Sequence, residues 1–319
     1  MKIRKKIASI LLTSILLAGL SVNVNALDSR DVRSIAGIDR YATASGIAGN
    51  FGPYENVILV NADNNMLADG LSASGLAGVL NAPILLVHKD SIPNETQLRI
   101  DIAKRIYIIG SEGSISRGLE DRLRDQSMGG FSVKRIGGVN RYETSYNVAR
   151  EILSIKNSVG KVFVANGRLG EADAMSASAI AARDGEPILL TNGNNMDSKS
   201  MSIVLRTNNI YAVGGSNVIS QSLVSSLNAR RISGKNRYYT NSLLINQFYQ
   251  NSNGSYYLSD GYKLVDALTG GPLAGKNNAP IFLVGPNNNK SILRGASELV
   301  SLGGINRSVI KQCINAANR

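Results

Sequence analysis

Short apolar runs alternate with longer amphipathic stretches along most of the chain. Val57–Val60, Ile84–Val87 and Ile106–Ile109 are continuous and rich in β-prone residues, which is typical of strands buried on both faces of a parallel sheet. The stretches around them predict an opening strand at Val32–Ala36 and helices at Thr43–Asn50, Ala68–Leu80, Thr96–Lys104 and Ile115–Asp125. Strands that alternate with helices predict an α/β fold with right-handed crossovers and a parallel sheet between helix layers.

This pattern recurs along the chain, marked by four short elements in a constant order. The first is a Gly-x-Asp/Asn-Arg-Tyr-x-Thr motif at residues 37–43, 138–144 and 234–240, and the second is an Asp (Asp69, Asp173, Asp266) followed by a small residue, then Leu or Met, then Ser or Thr. The third is an apolar run that begins with Pro83, Pro187 or Pro280, and the fourth is an apolar run that ends at Gly110, Gly214 or Gly303. Such repetition indicates tandem structural units. We therefore predict three copies, over 27–130, 131–228 and 229–319. The third is shortened between Pro286 and Val300, so its third helix is the least supported.

The N-terminal segment has the features of a secretory signal. Lys2, Arg4, Lys5 and Lys6 precede an apolar run over 7–20, and small residues surround Ala26. This order predicts a signal peptide over 1–26 with cleavage near Ala26. The apolar run is shorter than the ~20 residues of a membrane-spanning helix, and no later segment is apolar enough to span a membrane. We expect an exported protein.

The amino-acid composition excludes several kinds of metal site and catalytic site. The chain has 32 Gly, no Trp and 5% aromatic residues, with a single His and a single Cys. An intrachain disulfide is excluded, and the supply of His and Cys is too small for a typical zinc site; we expect neither a metal nor a cofactor. A Cys-His hydrolase would have to pair Cys313 with His88, and Cys313 fits a buried core thiol better.

Charge is distributed unevenly over the copies. The formal net charge is +12 for the whole chain and +8 without the signal segment; the copies in order carry −3, +3 and +8. A basic exported protein suits an anionic partner, such as a wall polymer, phospholipid head groups or extracellular nucleic acid. We expect such a partner to bind chiefly at the second and third copies.

Two repeated elements are candidates for function. Asp69, Asp173 and Asp266 come where a strand gives way to a helix, which predicts helix capping or stabilisation of the helix dipole. An Arg at a helix start lies beside the positive end of that dipole, so it needs an acidic partner or an anionic ligand. One interpretation is a buried ion pair with the Asp of the same copy, and the other is ligand contact. The candidate polymer-binding residues are Arg40, Tyr41, Arg141, Tyr142, Arg237 and Tyr238.

Position supports a binding role for these motifs. Both follow the carboxyl ends of predicted strands, the edge at which open parallel sheets bind ligands. We expect Arg40 to pair with acids of its own negatively charged copy. Arg141 and Arg237 are therefore the leading contacts, because a planar guanidinium suits phosphate or carboxylate.

Together these motifs resemble the type 2 cell-wall-binding repeat family of Gram-positive surface proteins, from Val32 to the C-terminus. The resemblance implies three compact Rossmann-like or Toprim-like three-layer units around a pseudo-threefold axis. It also implies non-covalent anchoring to an anionic secondary polymer of the cell wall. Copy three departs slightly from the pattern at Val265 and Phe282. Because no separate working domain is evident, we expect a non-enzymatic anchor. One role open to it is that of a minor surface-layer component among other surface-layer proteins.

Other functions compete with this one. The repeat often accompanies N-acetylmuramoyl-L-alanine amidases, so a wall hydrolase or its modifier is the main alternative. Residues 270–277 nearly spell a phosphate-binding loop, but Asn277 replaces the Ser or Thr, and the segment ends a predicted helix instead of following a strand. Nucleic-acid binding is disfavoured because few aromatic side chains are present for base stacking.

Overall fold

The structure is a computed structural model that describes residues 27–28, 31–63, 66–125, 131–250 and 253–319. The predicted signal peptide lies outside the described residues. Each apolar run of the sequence forms a strand, and each amphipathic stretch contains a helix close to its predicted bounds. The predicted helix over 68–80 is an exception in its first part, because 3-10 turns at Met66–Ala68 and Gly70–Ser72 precede its α-helical part.

The strands of the described residues are β1 (Arg33–Ile35), β2 (Asn56–Asn61), β3 (Ile84–Val87), β4 (Arg105–Ile109), β5 (Ser132–Ile136), β6 (Val162–Asn166), β7 (Ile188–Thr191), β8 (Ile210–Val213), β9 (Arg230–Ile232), β10 (Ser255–Asp260), β11 (Ile281–Val284) and β12 (Glu298–Leu302). The helices are α1 (Arg40–Gly49), α2 (Ala73–Leu80), α3 (Asn94–Ile100), α4 (Arg117–Arg124), α5 (Arg141–Lys156), α6 (Glu171–Asp184), α7 (Ser198–Val204), α8 (Gln221–Ser226), α9 (Arg237–Phe248), α10 (Leu264–Lys276) and α11 (Arg307–Ala317). In the third copy, only a 3-10 turn at Ser291–Leu293 stands where the other copies have α3 and α7.

The strands form three four-stranded sheets with the same order. The orders are β3-β2-β4-β5, β7-β6-β8-β9 and β11-β10-β12-β1, and all neighbouring strands are parallel. The inner strands, which are the two in the middle of each sheet, are almost fully buried, as is typical of a parallel sheet covered on both faces. The α/β fold with three parallel-sheet units is therefore confirmed.

The opening strand of each copy lies in the sheet of the preceding copy. β5 pairs with β4, β9 pairs with β8, and β1 pairs with β12 at the other end of the chain. Each sheet therefore combines three strands of one copy with the opening strand of the next copy. Exchange of one strand at every junction joins the three units into a closed ring, and β1 completes the last sheet.

The helices α2, α6 and α10, one from each copy, pack against one another. Every residue of α6 from Ala172 to Ala182 is buried. A side chain at Gly78 of α2 would collide with the backbone of Ala182, and a Cβ at Gly271 of α10 would lie 2.6 Å from Ser178 Oγ. Glycine at these positions allows the close helix contact.

This packing also explains the segment that resembles a phosphate-binding loop. Residues 270–276 belong to α10, and Gly271 and Gly275 lie against α6. The nucleotide-binding interpretation is disfavoured by this contact. Among the described helices, none combines the length and apolar character needed to cross a membrane.

Candidate functional site

The Gly-x-Asp/Asn-Arg-Tyr-x-Thr motif forms the same helix start in each copy. The side chains of Asp39, Asn140 and Asn236 accept hydrogen bonds from N–H groups in the first turns of α1, α5 and α9, as residues before a helix commonly do. The Thr hydroxyl accepts a bond from the N–H of the motif Gly, at 3.0, 3.1 and 2.9 Å in copies one to three. The motif therefore fixes where each helix begins and where its Arg and Tyr are placed.

Each motif Arg reaches the carboxyl end of the nearest inner strand. In every copy its Nη1 donates to the carbonyl of the residue that follows that strand. The bonds are Arg40 to Ala62 at 2.7 Å, Arg141 to Gly167 at 2.6 Å and Arg237 to Gly261 at 2.7 Å. Arg40 is exposed, whereas the other two are half-buried. One backbone bond therefore anchors each guanidinium at the sheet edge.

The repeated Asp does not cap a helix. Asp69 precedes a 3-10 turn without a capping hydrogen bond, and Asp173 and Asp266 lie within the first turns of α6 and α10. The prediction of helix caps is wrong for all three, although the first turn still suits a negative charge. Their carboxylates lie against the glycines that end the third apolar run of each copy, namely Gly110, Gly214 and Gly303.

These glycines have positive φ angles, of 120°, 129° and 66° respectively. Glycine is favoured there for its backbone conformation and because a side chain would displace the carboxylate. The glycine at the end of this run in each copy is thus explained by its backbone conformation and by the adjacent Asp carboxylate.

Each repeated Asp, half-buried at Asp69 and buried at Asp173 and Asp266, interacts electrostatically with the motif Arg of the next copy. Asp69 faces Arg141, Asp173 faces Arg237, and Asp266 faces Arg40 across the ring closure. The expected ion pair with the Arg of the same copy is therefore wrong. So is the expectation that Arg40 pairs with acids of its own copy, because the buried carboxylate it faces belongs to the third copy. None of these pairs is a direct salt bridge among the described residues.

Burial dominates the titration of these carboxyls. It raises the pKa of Asp69, and the pKa values of Asp173 and Asp266 to about 6. The Arg of the next copy acts in the opposite direction, since a nearby cation favours the charged carboxylate. The arginines therefore stabilise buried charge at the junctions between copies.

The motif tyrosines differ between copies. The Tyr41 hydroxyl donates to Asp63 Oδ1 at 3.0 Å and lies 3.0 Å from His88 Nδ1, which is 2.5 Å from the same Asp63 oxygen. Within the described parts of the chain, the Tyr142 and Tyr238 hydroxyls have no hydrogen-bond partner. Copies two and three thus present unpaired hydroxyls where copy one has an internal network.

Cavities adjoin the two unpaired tyrosines. One of about 480 Å³ lies between α5 and the segment after β7, and is lined by Tyr142, Tyr146, Asn192, Met196 and Lys199, among others. Another of about 330 Å³ is lined by Tyr238, Tyr239, Asn246 and Asn289, among others. In copy one, Arg99 of α3 crosses to α1 instead and donates to Ser45 Oγ at 3.1 Å.

The single Cys and His do not form a catalytic pair. Cys313 is fully buried in α11, where burial raises its pKa to about 12, and its interpretation as a core thiol is confirmed. His88 contacts Tyr41 and Asp63 in the first copy. The described residues contain no group of three or more His, Cys, Asp or Glu side chains that could hold a metal ion.

One position near the motif tyrosines was not predicted from the sequence to have a functional role. Asp63, Arg168 and Tyr262 are each the second residue after an inner strand. Their N–H groups donate to the side chains of the residues two before them, Asn61, Asn166 and Asp260, at 2.6, 2.8 and 2.8 Å. The available signal was the recurring Asn/Asp-Ala/Gly-x sequence after these strands, with x acidic, basic and aromatic in turn.

The sequence matches the family described as "Cell wall binding domain 2 (CWB2)" over residues 34–120, 135–224 and 231–310. It is 30% identical over 281 residues to N-acetylmuramoyl-L-alanine amidase LytC of Bacillus subtilis, covering 86% of this chain and 54% of the amidase. It is 33% identical over 258 residues to the amidase enhancer of the same organism, covering 78% of this chain and 34% of that protein. The chain thus spans about half and a third of these relatives.

Solved structures show the same arrangement. Cwp6 from Clostridium difficile superposes with a TM-score of 0.82 at 31% identity, covering 90% of this chain and 48% of Cwp6. Cwp8 from the same organism gives a TM-score of 0.80 at 33% identity, covering 90% of this chain and 52% of Cwp8.

Proposed function

The chain belongs to the cell wall binding domain 2 family, and on that premise we propose that it is an exported, non-enzymatic protein that binds an anionic polymer of the cell wall. Attachment is non-covalent and uses the carboxyl edges of the sheets in copies two and three. The protein acts at the cell surface, and other surface-layer proteins are its neighbours.

One observation supports this site above others. Unpaired Tyr142 and Tyr238 hydroxyls stand beside open cavities in the two copies with net positive charge, +3 and +8. Copy one, at −3, has its motif Tyr bonded internally. An anionic chain is attracted to the positive copies, and unpaired donors there supply hydrogen bonds that confer orientation. Arg141 and Arg237 add positive charge at the same edge.

A second candidate function is that of a wall hydrolase or a modifier of one. It is favoured by the similarity to LytC and to the amidase enhancer. We rank it lower because the matched family is a binding domain, and because Cys313 is a buried thiol instead of an activated nucleophile.

The test of the proposed function is a pull-down on purified Gram-positive walls. One sample keeps its anionic polymers, and the other has been treated with hydrofluoric acid to remove polymers held by phosphodiester bonds. We expect the chain to bind the native walls and to lose most of that binding on treated walls. Equal binding to both samples, or binding to neither, would contradict the proposal. Lysis of walls by the purified chain would favour the second candidate.

A further inference from the structure

Copy one already holds a carboxylate at its sheet edge, and that carboxylate is its own. Asp63 accepts hydrogen bonds from the Tyr41 hydroxyl and from Lys89 N, both at 3.0 Å, and its Oδ1 lies 2.5 Å from His88 Nδ1. These contacts lower the pKa of Asp63 despite its partial burial, as hydrogen bonds to a charged carboxylate do. The frame around the motif Tyr, meaning the turn after the first inner strand together with the residue after the next strand, is therefore able to bind an anionic oxygen.

The same frame in copy two lacks the internal carboxylate. Arg168 occupies the position of Asp63 on an equivalent turn, and Asn192 follows β7 as His88 follows β3. In the described residues, the Tyr142 hydroxyl, the Asn192 side-chain amide nitrogen and the exposed Arg168 guanidinium have no hydrogen-bond or ion-pair partner. A hydroxyl, an amide and a guanidinium are thus unpaired hydrogen-bond donors in copy two, whereas in copy one the motif Tyr hydroxyl is hydrogen-bonded to Asp63.

There is also room for an occupant in copy two. The cavity of about 480 Å³ is lined by both Tyr142 and Asn192. The Tyr142 ring lies close to Gly167, the residue directly before Arg168. A Cβ added at Gly167 would be 3.2 Å from this ring. Tyr142 therefore joins the cavity to the turn that carries Arg168. The same cavity is also lined by the ammonium of Lys199 and by the carboxylates of Glu143 and Asp197.

In copy three an aromatic residue occupies the position of Asp63 and Arg168. Tyr262 stands there, with the Arg237 guanidinium 4.4 Å from its ring centroid and the Tyr238 ring 6.4 Å away. The aromatic ring attracts and holds the cation over its face, and Gly285 replaces His88 without offering a side-chain donor. This frame presents aromatic surface in place of a free cation.

We propose that the residue at 63, 168 and 262 determines what each copy binds, and that Arg168, with the Tyr142 hydroxyl and the Asn192 amide, binds a phosphate or carboxylate group of the wall polymer. This inference rests on the proposed function and makes it more specific. Arg141 is then a positioning residue, since its guanidinium is anchored on Gly167 O and faces half-buried Asp69. Asp63 closes the corresponding site of copy one.

The test compares variants of the full exported chain in co-sedimentation with native Gram-positive walls. Arg168→Asp reverses the proposed contact, and Arg206→Asp is the matched control, because Arg206 is exposed in the same copy without a side-chain partner among the described residues. Arg168→Lys keeps the positive charge. We expect half-saturation to rise tenfold or more for Arg168→Asp, and to stay within about twofold for Arg206→Asp and threefold for Arg168→Lys.

The outcomes separate the two proposals. If the parent chain binds walls and Arg168→Asp binds within twofold of it, the inference is wrong and the proposed function stands. The same conclusion follows if Arg206→Asp weakens binding as much as Arg168→Asp, since net charge alone would then account for the loss. A parent chain that does not sediment with native walls overturns both.

Discussion

Ile35 pairs with Leu302, although the two residues lie near opposite ends of the described chain. The N–H of Gly303 donates to Ile35 O at 2.9 Å and continues the ladder between β1 and β12. Next to it, Leu27 N and O are hydrogen-bonded to the side chain of Asn318 at 2.9 and 2.8 Å. The start of the first copy thus completes the third sheet, and the ring of copies is closed by backbone pairing.

Removing this strand tests the closure. A chain that begins at Gly37 lacks β1, which exposes the edge of β12 and part of the third core. We expect it to melt about 2–3 °C lower than a chain beginning at Leu27, as a loss of 1–2 kcal/mol would produce in a protein of this size. Differential scanning calorimetry measures both. Equal melting temperatures would show that the closing strand adds nothing to stability.

A double-mutant cycle tests the assignment of charge partners across copies. Asp173→Asn and Arg237→Ala each remove one member of a pair that faces across a junction. Because Arg237 stabilises the charge on Asp173, the two effects on the free energy of unfolding are expected to couple by about 0.5–1 kcal/mol. Urea unfolding at pH 7.5 gives the four values.

The same-copy pair is the control for this cycle. Asp173→Asn and Arg141→Ala should be additive within about 0.5 kcal/mol, because separate sites usually are. Coupling in the same-copy cycle, with none across the junction, would restore the ion-pair arrangement that the sequence suggested.

The buried Asp266 predicts a dependence of stability on pH. Burial raises its folded pKa to about 6 from an ordinary value of 3.8. The folded state therefore binds the proton more tightly, and the contribution of Asp266 to stability increases as pH falls from 7 toward 4. Asp266→Asn lacks this titration. We expect the free energy of unfolding of the parent, relative to that of the variant, to rise by on the order of 2 kcal/mol over this range.

Urea unfolding of both chains at pH 7 and pH 4.5 measures the change. Comparison with the variant cancels the titration of the other carboxyls, including Glu120 and Asp184, whose lowered pKa values give the opposite trend. A parent that loses stability relative to Asp266→Asn on acidification would contradict the assignment.

Two helical glycines should respond in opposite ways to alanine. Gly78→Ala pushes a methyl group into the backbone of Ala182 between α2 and α6, and overpacking of this kind costs about 1–3 kcal/mol. Gly118→Ala in α4 meets nothing closer than Ser116 Oγ at 4.0 Å, and should stabilise the protein by about 0.5 kcal/mol. Thermal melts of the two variants distinguish these effects, and a stable Gly78→Ala protein would show that the central helices are not closely packed.

The fold was predictable because its signals are local and repeated. Ile84–Val87 is a strand over the residues expected from its apolar run, and Asp39 and Asn140 begin helices because their side chains bond nearby N–H groups. Three copies of each signal removed the ambiguity that a single copy would leave. The α/β class and the threefold repetition followed from these short-range features.

Contacts between copies could not be predicted from the sequence. Nothing in the sequence near Asp173 indicates that its charge partner is Arg237, which is supplied by another copy, and nothing near Ile35 indicates pairing with Leu302. The candidate site was only partly predictable for a similar reason. The motif made Tyr41 and Tyr142 seem equivalent, and only side-chain placement shows that Asp63 and His88 occupy one hydroxyl and leave the other open.

The most direct measurement of the central claim is titration calorimetry of the purified chain with the anionic polymer released from native walls, at low and at physiological ionic strength. We predict saturable binding that weakens as salt rises, because exposed charges are screened beyond a Debye length of ~8 Å at physiological ionic strength. Absence of saturable binding at low salt, or an affinity unchanged by salt, would contradict the account.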